Sequence, residues 1–119
     1  MNMSEAVRTV LSKYATFSGR AARSEFWWWI LAVVLATIVA TILDELIFGS
    51  APGGESIGIL SGLLALALLL PNLAVAVRRL HDTDRSGWWL LLGLIPIIGF
   101  LVLLWFYVQK GTPGANRFG

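Results

Sequence analysis

The chain has no cysteine, only one histidine and little charge, with Asp, Glu, Lys and Arg making up 13% of its 119 residues. Without thiols it forms no disulfide, thiolate zinc site, iron–sulfur cluster or cysteine nucleophile. A lone imidazole does not build a histidine metal site, so neither a metal nor a cofactor is expected. A scattered net charge of +2 is too weak an electrostatic footprint for nucleic acid, which is not an expected partner. A soluble domain is about 25% charged and about 45–50% apolar. Here 57% of residues are hydrophobic, too much apolar surface for a water-soluble monomer, and the bilayer is the expected solvent.

Three uncharged apolar stretches cover residues 26–43, 57–77 and 88–108. Each is near the length that crosses a hydrocarbon core of about 30 Å as a helix. The expected fold is an all-α membrane protein, one integral-membrane domain over residues 1–119 with three hydrophobic transmembrane segments. The third stretch is interrupted at Ile95-Pro96-Ile97-Ile98-Gly99. Proline removes a helical hydrogen bond and glycine permits a sharp bend, so this segment is either a kinked span or re-entrant at Pro96/Gly99. The polar, amphipathic lead before the first stretch, and the lack of a small-residue cleavage pattern after it, argue against a cleaved signal peptide.

Within that lead, Met3, Val7, Val10, Tyr14 and Phe17 recur at helical spacing, whereas Glu5, Arg8, Ser12 and Lys13 fall off the stripe. A short amphipathic helix within residues 1–18, lying in the inner interface, is expected. Residues 109–119, with Gly111, Pro113 and Gly114, read as a turn-rich tail. The lead carries Arg8, Lys13, Arg20 and Arg23, the next loop carries acids only, and the following loop carries Arg78, Arg79 and Arg85. That distribution predicts a cytoplasmic N-terminus. With three full crossings the tail would lie outside, at odds with its Lys110 and Arg117; a re-entrant third segment returns it to the cytoplasm. Ala32, Ala36 and Ala40 on one helix face, and Gly58 and Gly62 on another, suit close packing within the chain or between copies. Pro71 should free the carbonyl of Ala67, and Asn72 should hydrogen-bond a neighbouring helix.

Three polar motifs border the apolar stretches: Phe17-Ser18-Gly19-Arg20-Ala21-Ala22-Arg23-Ser24-Glu25-Phe26-Trp27, Arg78-Arg79-Leu80-His81-Asp82-Thr83-Asp84-Arg85-Ser86-Gly87-Trp88-Trp89, and Gly111-Thr112-Pro113-Gly114-Ala115-Asn116-Arg117-Phe118-Gly119. From about Tyr14 to Gly119 the chain resembles the bacterial inner-membrane family known as domain of unknown function 805. The resemblance implies a small multi-pass protein of the plasma (inner) membrane and brings no biochemical activity with it.

The chemistry of the motifs must therefore be weighed directly. Arg20, Arg23, Arg78, Arg79 and Arg85, with Trp27 and Trp88 at headgroup depth, form a candidate lipid- or phosphate-binding cluster. The plainer reading is that these arginines obey the positive-inside bias and pair with Glu25, Asp82 and Asp84. At helical spacing Asp82 would pair with both Arg78 and Arg85. His81, Asn72, Asn116 and Arg117 complete the polar interface candidates. No catalytic constellation stands out, and the chain is expected not to be an enzyme. The preferred reading is a non-enzymatic membrane module that binds lipid, anionic phospholipid in particular, or a partner: a second copy or another membrane protein. A channel or transporter subunit, with Asn72, Thr37 or Thr41 lining an oligomeric pore, is the alternative. A lipid-headgroup enzyme using His81, Asp82 and Asp84 stands third.

Overall fold

Neither glycine nor proline occurs between Arg23 and Phe48, and the chain there forms one uninterrupted helix. A computed structural model describes residues 2–48 and 58–119. Helix α1 covers Met3–Ser12, α2 Arg23–Phe48, α3 Ile59–Asp82 and α4 Ile98–Val108, and a 3-10 helix over Gly87–Leu94 precedes α4. The described residues contain no strand. Most of the expected acid-only loop, Glu55 included, and Ile57 at the head of the second stretch lie outside the described residues.

Helices α2 and α3, at 26 and 24 residues, are long and apolar enough to cross a membrane. At 1.5 Å per residue they run about 39 and 36 Å, against a core of about 30 Å. The third stretch takes the second of its two expected forms, folding back at Pro96/Gly99 in place of a full-length span. Its 3-10 helix of eight residues and its 11-residue α4 each extend only about 16 Å. The two limbs fold back on one another: Trp89 meets Phe106 edge-on with ring centroids 5.6 Å apart, and a Cβ built on Gly93 would touch Leu103 at 3.5 Å. Among the described residues two helices, not three, are therefore long enough to span, and the third stretch is a hairpin. Its turn is at Ile95–Ile97, where Ile98 N–H donates to Pro96 O at 2.7 Å and Ile97 takes φ 65°, ψ −66°. That is a strained γ-turn geometry for a β-branched residue. Gly99 serves close approach: a side chain there would collide with the Leu92 carbonyl.

Two side-chain contacts fix the register of α2 on α3. Near one end, Trp29 Nε1 donates to Asn72 Oδ1 at 2.7 Å, the interhelical role expected of that asparagine. Near the other, α3 begins at Gly58, which has no side chain with which to cap the helix. The buried Asp44 of α2 supplies the missing acceptor, taking Leu60 N–H at 2.6 Å, Ser61 N–H at 3.0 Å and the Ser61 hydroxyl at 2.8 Å. A carboxylate at a helix N-terminus satisfies donors that otherwise lack partners. The alanine face of α2 points the same way, since Ala36 and Ala40 line a groove closed by Leu60 and Leu64 of α3. A Cβ built on Gly62, by contrast, would meet nothing within 4 Å.

Helix α1 starts where expected, with Asn2 Oδ1 accepting Glu5 N–H at 2.9 Å as the N-cap. It stops at Ser12, earlier than the stripe suggested, and that stripe is partly buried within the protein. Ala6 and Val10 are fully buried, and Val10 packs in one cluster with Phe26, Trp29 and Val75. Beyond the helix, the Tyr14 hydroxyl donates to the carbonyl of Ala67, the group that Pro71 leaves without an N–H.

Candidate functional site

The three polar motifs converge at one end of the α2–α3 pair. The α4 limb brings the tail back to this end, and the last carbonyls of α4 lack intrahelical donors, as at any helix C-terminus. Side chains from two other segments cover them. Trp27 Nε1 donates to Tyr107 O at 3.2 Å, Arg79 Nε to the same oxygen at 3.1 Å, Arg79 Nη2 to Gln109 O, and Arg23 Nη1 reaches Val108 O at 3.4 Å. Cations near a helix C-terminus are also favoured by its dipole. The geometry thus explains why arginines lie here: their donors end a helix that stops in the middle of a polar knot.

Arg79 is fully buried and also binds Asp82, Nη1 to Oδ2, at 2.7 Å. The other oxygen of Asp82 takes Arg20 Nε at 2.9 Å. Arg20 then holds the tail, donating to the carbonyls of Thr112 and Gly114, each at 2.6 Å. Thr112 N–H donates to Asp82 O at 2.7 Å, and Gly111 lies so close to the Asp82 carboxylate that a Cβ there would overlap it. Arg78, also fully buried, pairs with the buried Glu25, while its backbone carbonyl accepts Ala21 N–H at 2.9 Å. Its Nε and Nη2 have no partner among protein atoms. The structure therefore differs from the helical-spacing expectation at Asp82: Arg79 and Arg20 hold it, not Arg78 and Arg85. The cause is the helix end. Thr83 caps α3 and Asp84 takes φ 59°, so Arg85 leaves the helical line. It turns instead to Gln109 Oε1 at 3.3 Å and stacks over the Phe106 ring at 4.1 Å.

His81 is buried in the tail's grip. Its Nδ1 lies 2.9 Å from Gly19 O, its ring stacks on Phe118 at 3.9 Å, and its backbone carbonyl accepts Asn116 Nδ2 at 2.9 Å. Asn116 Oδ1 in turn accepts Phe118 N–H, which shapes the turn that presents the phenyl ring. Arg117 binds Asp84 Oδ1 at 3.1 Å, on the surface of the knot. That hydrogen bond, chiefly, holds the Asp84 carboxyl below its ordinary value of 3.8. Among the described residues no three His, Asp or Glu side chains gather as metal ligands.

Of the candidate arginines, Arg20, Arg78 and Arg79 are thus occupied inside the knot. Arg23 and Arg85 have no carboxylate partner among the described residues, nor does Lys110, which the sequence reading did not single out. Arg23 sits at Val108 and Arg85 at Gln109, so these three cations ring the end of α4. Beside them Trp88 and Trp89 are exposed, and with Ser86, Leu91 and Leu92 they line an open notch of about 340 Å³. Trp27 is half-buried and engaged with α4, whereas Trp28 is exposed. The hydroxyl of Thr41 donates to Thr37 O at 2.9 Å within α2.

The sequence pattern of the family described as Protein of unknown function (DUF805) matches residues 14–119. Inner membrane protein YhaH of Escherichia coli is 50% identical over 110 residues, covering 92% of this chain and 89% of that one. Inner membrane protein YhaI of the same organism is 45% identical over 111 residues, with 93% and 89% covered. No solved structure matches the chain.

Proposed function

The chain belongs to the DUF805 family, and on that premise we propose that it is a multi-pass inner-membrane protein, not an enzyme, that holds an anionic phospholipid headgroup at the ring of Arg23, Arg85 and Lys110. The observation that carries this reading is the contrast among the cations. Arg20, Arg78 and Arg79 are matched by Glu25, Asp82 and backbone carbonyls, whereas the ring around α4 has no carboxylate counter-charge among the described residues. Guanidinium groups match phosphate oxygens, and tryptophans such as Trp88 and Trp89 favour headgroup depth. The two similar E. coli proteins are inner membrane proteins by name, in keeping with such a location.

The topology that goes with this reading has α2 and α3 crossing and the Gly87–Val108 hairpin entering from the knot side only. The N-terminus, the knot and the tail then share the cytoplasmic side. Lys110 and Arg117 join the other basic residues there, which removes the conflict that a third crossing creates. The test is native mass spectrometry of the protein extracted into nanodiscs with its lipids. The triple variant R23Q/R85Q/K110Q should lose a retained anionic lipid that the double variant R8Q/K13Q keeps. Equal loss from both would reduce the ring to generic charge. A closed oligomer retaining no selected lipid would replace this reading with the pore-forming one.

A further inference from the structure

The two halves of the molecule differ in girth. At the knot end five segments stand side by side: α1, the start of α2, the end of α3, the 3-10 helix and α4. All buried residues of α3, from Pro71 to Asp82, lie in this half. Helix α1 reaches a little past Tyr14's contact with Ala67, where its Val7 and Leu11 line a hollow with Ala36 and Leu64; beyond that only α2 and α3 continue among the described residues, and Leu46, Ile47 and Leu63 are mostly exposed. The hairpin ends at about half the hydrocarbon thickness, since its limbs of about 16 Å compare with a core of about 30 Å. Its tip is not covered by another helix: Leu94 is 80% and Ile97 75% exposed.

A body whose described residues place five segments in one leaflet and two through most of the other takes more area from the first. We infer that the protein is a membrane wedge, and that the partner its apolar surface fits is a bilayer curved so that the knot-side leaflet is convex. The inference rests on the topology proposed above. Lipid, and not a second copy, is the occupant of the narrow half, because the hairpin's depth stops at a leaflet boundary that only a bilayer defines. A curved membrane relieves the area mismatch that a flat one must absorb by deforming its lipids, as with other mismatched inclusions. The wedge favours one orientation in small vesicles, with the knot on the outer surface.

The absence of cysteine makes the experiment direct. Single variants S4C, E45C and A115C, all at exposed positions, are reconstituted into small sonicated and large extruded vesicles of one lipid composition. Each is then labelled from outside with a membrane-impermeant maleimide. The ratio of outward- to inward-facing A115C should rise about threefold from large to small vesicles, which corresponds to about 0.6 kcal/mol between orientations. E45C should fall by the same factor. If S4C and A115C label together but the ratio is equal in both vesicle sizes, the topology stands and the wedge is refuted. If S4C and A115C report opposite sides, the hairpin topology itself fails and takes the wedge with it.

Discussion

The end of the molecule around Arg79 and the end around Asp44 solve one problem with opposite charges. At the Arg79 end a helix stops, α4, and guanidinium donors from α2 and α3 cover its last carbonyls. At the Asp44 end a helix starts, α3, and a carboxylate from α2 covers its first amides. Both follow from the unpaired groups at helix termini and from the dipole. They differ in reach. Asp44 joins two neighbouring helices, whereas Arg79 and Asp82 together tie α2's lead, α3, α4 and the tail into a single unit. Charge near the membrane thus serves first to finish backbone hydrogen bonding. At this end Arg23, Arg85 and Lys110 are the cations with no carboxylate partner among the described residues.

The largest break in this contrast is expected from Arg79→Ala, which removes the buried one of Asp82's two guanidinium partners, one of the two donors to Tyr107 O and the donor to Gln109 O. Loss of one partner of a buried pair costs about 3–5 kcal/mol, and thermal unfolding in detergent should show a correspondingly lower midpoint. Next comes a pair of identical substitutions. Gly111→Ala pushes a methyl into the Asp82 carboxylate and should cost about 1–3 kcal/mol by overpacking. Gly62→Ala, in the narrow half, meets open space and should leave the midpoint unchanged or raise it by up to about 1 kcal/mol. Equal destabilisation by both would erase the distinction between the halves. Tyr14→Phe, at their boundary, removes the donor to the Ala67 carbonyl and should cost about 0.5–1.5 kcal/mol in the same assay.

The smallest effect concerns Asp84, whose folded value is depressed by Arg117. A depressed carboxylate contributes stability above its unfolded value of 3.8, and that contribution disappears as pH falls through the lower folded value. Limited proteolysis of the tail should therefore accelerate below that range in the wild type. In Asp84→Asn the tail should already be looser at neutral pH and should show no further loosening from this cause. The pair is exposed, so the change should be confined to the tail.

Much of this architecture was legible in the order of residues. Apolar length alone marked α2 and α3, and Pro71 pointed to a free carbonyl at Ala67. Tyr14 as its partner was not legible, because the contact closes over 53 positions. Pro96 and Gly99 marked a break but not its sense, which depends on whether Leu103 and Phe106 pack back on the first limb. The arginines are recognisable as a cluster that pairs with Glu25, Asp82 and Asp84, but which arginine takes which acid is not. Spacing along one helix suggests Arg78 with Asp82, whereas Glu25 and the end of α4, far away in sequence, decide the partners. In the sequence Asp44 is one of the acids that follow the first apolar stretch, with nothing beside it to mark a cap. The signal that could have found its role was the want of a Ser, Thr, Asn or Asp at the start of α3, where Gly58 stands.

That carboxylate also makes the length of α2 something the chain must count. Trp29 and Asp44 grip α3 at Asn72 and at Leu60–Ser61. One residue added or lost between them turns Asp44 by about 100° around the helix. Point substitutions at the exposed positions of that stretch, away from Ala36 and Ala40, should accordingly be accepted while single-codon insertions and deletions are not, a pattern of tolerance that a deep indel scan would register as ruler-like.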